Sequence, residues 1–169
     1  MKKVRSVALI ILLLVAAVFS ALALAGCSSK ETFKYKADES TSDRGYWISA
    51  ASTSISGDIE IPAEYNGKPV FGIGVYGFKN CTKITSITIP DSVTHIGCDA
   101  FINCYSAVIN IPTSVTNISE PSSQPTSTAK KYHINYSGTK AQWKEIRSSG
   151  LAFDTDWEVT CTDGVFVRT

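Results

Sequence analysis

The stretch Ile87-Thr88-Ile89-Pro90-Asp91-Ser92-Val93-Thr94-His95-Ile96-Gly97-Cys98-Asp99-Ala100-Phe101-Ile102-Asn103-Cys104 decides how the chain is read, because its parts recur on both sides of it. Ile59-Glu60-Ile61-Pro62 precedes its opening motif and Ile109-Asn110-Ile111-Pro112 follows it. Val93, Ile96 and Gly97 repeat Val70, Ile73 and Gly74 at an offset of 23, and Phe101, Asn103 and Cys104 repeat Phe78, Asn80 and Cys81 at the same offset. Val115 and Ile118 continue the series 22 residues further on. Tyr65-Asn66-Gly67-Lys68-Pro69 lengthens the first connection, and its Asn-Gly pair predicts a tight turn. A period of this size is the mark of a stacked-repeat architecture.

The physics of one unit follows from its residue types. Ile-x-Ile places two β-branched side chains on one face of a short strand and one residue on the other. Proline, lacking an amide hydrogen, then ends the strand. The glycine after Ile73 and Ile96 allows a bend, and the Phe and Cys that follow return inward. One such coil cannot bury its own apolar face, whereas coils stacked about 4.8 Å apart place like residues above like.

These residues resemble the BspA-type (Treponema-type) leucine-rich repeat, whose pattern runs roughly I-x-I-P-x-x-V-x-x-I-G-x-x-A-F-x-x-C-x-x-L. The second unit, from Ile87 to Cys104, matches almost throughout. The first has Gly77 in place of the alanine, and the third stops after Ile118, with Ser119 where glycine belongs. The resemblance covers about residues 55–118. It implies a mainly β fold, a short leucine-rich-repeat-like β-solenoid, and a cell-surface lipoprotein that adheres to a host or microbial surface protein or glycan.

So short a solenoid needs capped ends. Phe33-Lys34-Tyr35-Lys36 and Tyr46-Trp47-Ile48 read as an N-terminal β-hairpin cap. A C-terminal α/β cap is read from a strand over Lys131 to Tyr136, a capping box Thr139-Lys140-Ala141-Gln142 opening a helix through Trp143 and Ile146, and a last hairpin over Trp157–Cys161 and Val165–Val167. The expected organisation is a signal peptide over 1–26, a tether and N-terminal cap over 27–54, repeats over 55–118, a Ser/Thr/Pro-rich loop over 119–130 and a C-terminal cap over 131–169.

At the N-terminus Lys2, Lys3 and Arg5 precede an uncharged run from Val7 to Leu24, the basic and apolar regions of a secretory signal. Its length also suits a membrane-spanning helix. The end of the run favours export with lipidation, because Leu24-Ala25-Gly26-Cys27 resembles a bacterial lipobox, with Cys27 as the lipidation site. Two acyl chains there anchor a protein stably to a membrane. The expected location is the outer face of a bacterial membrane, at the cell surface or elsewhere in the envelope. Cleavage before Cys27 removes three positive charges and no negative ones, taking the net charge from +1 to about −2. That excludes the basic footprint of a nucleic-acid binder.

Motifs for chemistry are few. Gly72-Ile73-Gly74-Val75-Tyr76-Gly77 spells the dinucleotide pattern, but Gly74 and Gly77 are the repeat positions of Gly97 and Ala100, and no helix opens there. With only His95 and His133, neither a metal site nor a catalytic dyad is expected, and no cofactor is implied. The chain therefore reads as no enzyme. Asn80 is expected to bond turn backbone through its amide, and Trp47, Trp143 and Trp157 are expected to fill cap cores rather than stack on sugars. Cys81 and Cys104, at the same repeat position, are expected to be reduced.

By alternation the outward strand residues are Asp58, Glu60, Ser86, Thr88, Val108 and Asn110, the candidate binding face. The function expected is a membrane-anchored binding or adhesion module. The alternative is a structural or accessory envelope lipoprotein that associates with another envelope component.

Overall fold

Each Ile-x-Ile-Pro motif forms a strand that leaves the sheet at its proline, and each Val-x-x-Ile motif that follows forms a second strand in a second sheet. The computed structural model describes residues 32–40, 44–119, 132–148 and 157–167. Cys27 and its apolar leader, and residues 120–131 of the Ser/Thr/Pro-rich stretch, lie outside the described residues.

The first coil runs from β3 (Ser56–Glu60) through the short β4 (Glu64–Tyr65) to β5 (Lys68–Ile73). The second runs from β6 (Lys83–Thr88) to β7 (His95–Ile96), and the third from β8 (Val108–Ile111) to β9 (Asn117–Ile118). β1 (Phe33–Ala37) and β2 (Tyr46–Ala50) come before them. β10 (Tyr132–Tyr136), the helix α1 (Lys140–Ser148), β11 (Trp157–Cys161) and β12 (Gly164–Val167) come after.

One sheet, here sheet A, has the order β1-β2-β5-β7-β9, and sheet B has the order β12-β11-β10-β8-β6-β3. Every coil-to-coil pairing is parallel. The two caps end their sheets in the same way: β1 pairs antiparallel with β2 at one end of sheet A, and β12 pairs antiparallel with β11 at the opposite end of sheet B. The C-terminal cap also extends the repeat ladder, because β10 and β11 join sheet B as parallel strands in register.

Register puts like above like. In sheet B, Ile59, Ile87, Ile109, Ile134 and Val159 form one inward row. In sheet A, Ile48, Ile73, Ile96 and Ile118 form another. All nine are buried, and each fully buried side chain of this size contributes about 1.5–3 kcal/mol of transfer free energy. Phe78, Phe101, Cys81 and Cys104 complete the core between the sheets. The arc after sheet A is bonded from coil to coil as well: Tyr76, Phe78 and Asn80 donate their amides to the carbonyls of Cys98, Ala100 and Ile102.

Asn66 and Gly67 both have positive φ, 50° and 71°, as a two-residue hairpin turn between β4 and β5 requires. Asn80 departs from its expected role. Its φ is 62° and that of Asn103 is 68°, left-handed values that asparagine tolerates better than most residues. The Asn103 side-chain Nδ2 donates to Asn80 Oδ1 at 2.6 Å, so the two amides bond each other along the stack.

At the C-terminal end the capping box forms as read: Thr139 N donates to Gln142 Oε1 at 2.8 Å, and Gln142 N donates to Thr139 Oγ1 at 3.3 Å. α1 buries Trp143 and Ile146, so Trp143 does fill a cap core. Trp47 does not. It is half-buried and stands on the outward face of sheet A, because Ile48 beside it takes the inward position.

Candidate binding surface

The outward face of sheet B is built by the residues between the buried isoleucines. Asp58, Ser86 and Val108 stand in one cross-strand row, and Glu60, Thr88 and Asn110 in the next. All six point away from the core, with Asp58, Glu60 and Thr88 exposed and Ser86, Val108 and Asn110 half-buried. The structure therefore brings the six sequence-predicted residues together on one continuous surface.

Both rows run on past the repeats. Val108 pairs with His133 and His133 with Glu158, while Asn110 pairs with Asn135 and Asn135 with Thr160. His133, Asn135, Glu158 and Thr160 are all exposed. Reading the C-terminal segment only as a cap missed these four. The signal was present in the sequence, since His133-Ile134-Asn135 and Glu158-Val159-Thr160 both have the polar-apolar-polar form of Asp58-Ile59-Glu60.

The polar groups of this face are partly held by the scaffold. The pairing of β3 with β6 shifts between Gly57 and Asp58, leaving Thr85 as an extra residue on β6, and its hydroxyl donates to Asp58 Oδ1 at 2.6 Å. Asn135 Nδ2 donates to Asn110 Oδ1 at 2.9 Å, and Asn110 Nδ2 donates to the Ile87 carbonyl at 3.3 Å. These bonds fix the amide orientations and present a rigid, mostly uncharged surface with carboxylates at its two ends.

The titration shifts belong to the core. Burial pushes the Cys104 thiol up to about 12 and also raises Cys81 and Cys161. Desolvation likewise raises the phenols of Tyr132 and Tyr136. Raised acids of this kind are kept neutral, the opposite of an activated nucleophile. Among the described residues no group of three or more His, Cys, Asp or Glu side chains is placed to hold a metal, and no helix is long and apolar enough to cross a membrane.

A family model described as "BspA type Leucine rich repeat region (6 copies)" matches residues 54–151. The chain belongs to the BspA-type leucine-rich-repeat family. Leucine-rich repeats of this family are scaffolds that generally support protein interaction and are typically non-catalytic. No curated protein matches the sequence. A solved leucine-rich-repeat protein of T. pallidum is similar at 18% identity over 65% of this chain and 53% of that one, with a TM-score of 0.42. This BspA-type chain thus spans about half the length of that protein.

Proposed function

We propose that this BspA-type chain is a lipid-anchored adhesion module, held to the outer face of a bacterial membrane through Cys27 and engaging a host or microbial surface protein or glycan with the outward face of sheet B. The observation that carries this reading is the pair of rows from Asp58 to Glu158 and from Glu60 to Thr160. They are five strands wide, spanning about 19 Å at the usual strand spacing, on a scaffold whose inward rows are closed. The repeat requires apolar residues only inside, so the outward positions are free to be chosen for a partner. The basic-apolar leader and the Leu24-Ala25-Gly26-Cys27 motif support the anchored half of the reading.

The test is a binding screen of the mature protein against extracellular-matrix proteins, mucins and glycans, repeated with Thr88→Arg/Asn110→Arg. The double variant adds bulk and charge at two adjacent outward positions without touching the core. A ligand that binds the parent and loses at least tenfold in affinity for the variant supports the reading. Recovery instead of a stoichiometric envelope protein, after membrane solubilisation and with no ligand in the screen, overturns it in favour of an accessory envelope role.

A further inference from the structure

The outward face of sheet A carries a second surface of different chemistry. The Val-x-x-Ile motif leaves two outward residues between its core positions, and in the first coil these are Phe71 and Gly72. Tyr46 pairs with Val70 and Trp47 with Gly72, so Phe71 is the extra residue of a bulge and its ring is turned out beside Trp47. The Trp47 ring occupies the space over Gly72: a Cβ there would lie 2.5 Å from Trp47 Cζ3 and 2.6 Å from Cε3. Glycine at 72 is therefore the residue that admits the indole to this place.

His95 is the next residue along the row, paired with Gly72. The centroid of the Trp47 ring lies 4.7 Å from that of Phe71 and 6.2 Å from that of His95, both in edge-on arrangements. Phe71 is covered by its neighbours, whereas Trp47 and His95 remain half-exposed. Thr94 Oγ1 holds His95 Nδ1 at 2.7 Å, which leaves Nε2 as the ring nitrogen for a ligand. Cations edge the cluster. Lys36 is the direct cross-strand partner of Trp47, and the Arg44 guanidinium stands 5.7 Å from the Phe71 centroid. Their acidic partners differ: Glu39, 3.3 Å from Lys36, is exposed, whereas Asp38, 3.8 Å from Arg44, has a largely covered side chain that also accepts from Ser40 N and Oγ. The Lys36–Glu39 pair is exposed and weak, so a ligand carboxylate can replace Glu39, and the long contact of Arg44 with Asp38 leaves the half-exposed guanidinium able to take a second carboxylate beside it.

We infer that Trp47, His95, Lys36 and Arg44 form a binding site for an acidic saccharide, with a pyranose ring packed on the indole and its carboxylate held by the two cations. An aromatic group presenting apolar area with polar groups at its rim suits the mixed C–H and hydroxyl surface of a sugar. The cations complement a carboxylate. The size fits too. From β1 to β7 is three strand spacings, about 14 Å, which suits a few sugar rings and falls short of the 20–30 residues a side that a stable protein interface takes. The repeat does not require His95, because at the same outward position the third coil has Asn117. The site lies on the opposite sheet from the surface proposed above and stands or falls separately from it.

The test uses the full chain in detergent with two probes, a galacturonate hexamer and the neutral hexamer maltohexaose, followed by titration and by the indole N–H resonances. The galacturonate hexamer is expected to shift the Trp47 indole signal saturably and to bind at least fivefold more tightly than maltohexaose. Trp47→Ala should weaken binding at least tenfold. Lys36→Gln/Arg44→Gln, which alters only exposed side chains and so keeps the fold, should abolish the preference for the acidic probe. Val75→Ser, an exposed position outside the cluster, should bind like the parent. Failure of both hexamers to shift the Trp47 signal at millimolar concentration, equal affinity for the two, or undiminished binding in folded Trp47→Ala or in the Lys36/Arg44 variant each overturns the proposal.

Discussion

The rings of Phe78 and Phe101 lie 5.8 Å apart, centroid to centroid, with their planes 18° from parallel. The two residues are 23 positions apart in sequence and occupy the same place in successive coils. Phe33 of the N-terminal cap meets the outer side of Phe78 at 6.4 Å, edge to face, and so ends the column. A cap residue thus covers the side of the first repeat phenylalanine that has no coil beyond it.

Phe101→Ala is expected to destabilise the protein by about 3–5 kcal/mol, since it removes a buried ring from a column that the stacked backbone cannot close. Chemical denaturation monitored by circular dichroism measures this. A midpoint unchanged within error would show that the column contributes little to stability.

Gly97→Ala tests the closeness of the coils. A Cβ at 97 would lie 2.6 Å from Val75 N and 2.8 Å from Gly74 C, both backbone atoms of the preceding coil. The Gly97 amide also donates to the Ile73 carbonyl at 2.8 Å, so moving the strands apart breaks a ladder bond. The expected loss is about 1–3 kcal/mol. Val75→Ala, at an exposed neighbouring position, should stay within about 0.5 kcal/mol of the parent by the same assay.

The solenoid was legible because each constraint on it is periodic: Ile59, Ile87 and Ile109 must stack, so they must recur. The turn at Asn66-Gly67 and the Thr139/Gln142 capping box were legible because each depends on a few adjacent residues. The place of Trp47 was not. It depends on the bulge at Phe71 and on the missing side chain of Gly72, two features of a different strand. His133 and Glu158 were missed for a related reason. Their strands carry the polar-apolar-polar pattern but join sheet B only after a long connection or a helix, so the pattern by itself does not show that they lie beside β8 and extend the rows of Asp58. Residue alternation located the outward side of sheet B, while the chemical character of sheet A's outward side came from which strands lie next to each other.

Lipidation at Cys27 is tested on protein from the native host. Mass spectrometry of the N-terminal peptide should give a mature chain that begins at a diacylated Cys27. Cys27→Ser should leave the leader uncleaved and move the protein out of the lipoprotein fraction. A parent chain retaining residues 1–26, or one cleaved elsewhere, would rule out this anchor.

The described cysteines, Cys81, Cys98, Cys104 and Cys161, are free thiols, although the export proposed above would ordinarily go with disulfide bonds. Cys81 and Cys104 are buried, and the Cys104 thiol donates to the Phe78 carbonyl at 2.8 Å, directed at the coil beneath rather than at a second sulfur. Iodoacetamide should label both residues once the unreduced protein is denatured and neither in the folded state; a cross-linked Cys81–Cys104 peptide would contradict this. The same burial sets a pH dependence. Desolvation raises the folded-state pKa of Cys104 to about 12 from an ordinary value of 9.0, so between those limits the unfolded thiol gives up its proton while the folded one keeps it. The folded state binds more protons in that window, and stability therefore falls as pH rises through it, being fully present below pH 9. Tyr132 and Cys81 are raised by the same cause and add to the loss. Cys104→Ala should accordingly flatten the decline in unfolding midpoint above pH 9 without removing it, and an unchanged slope would show that the Cys104 thiol is not desolvated in the folded protein.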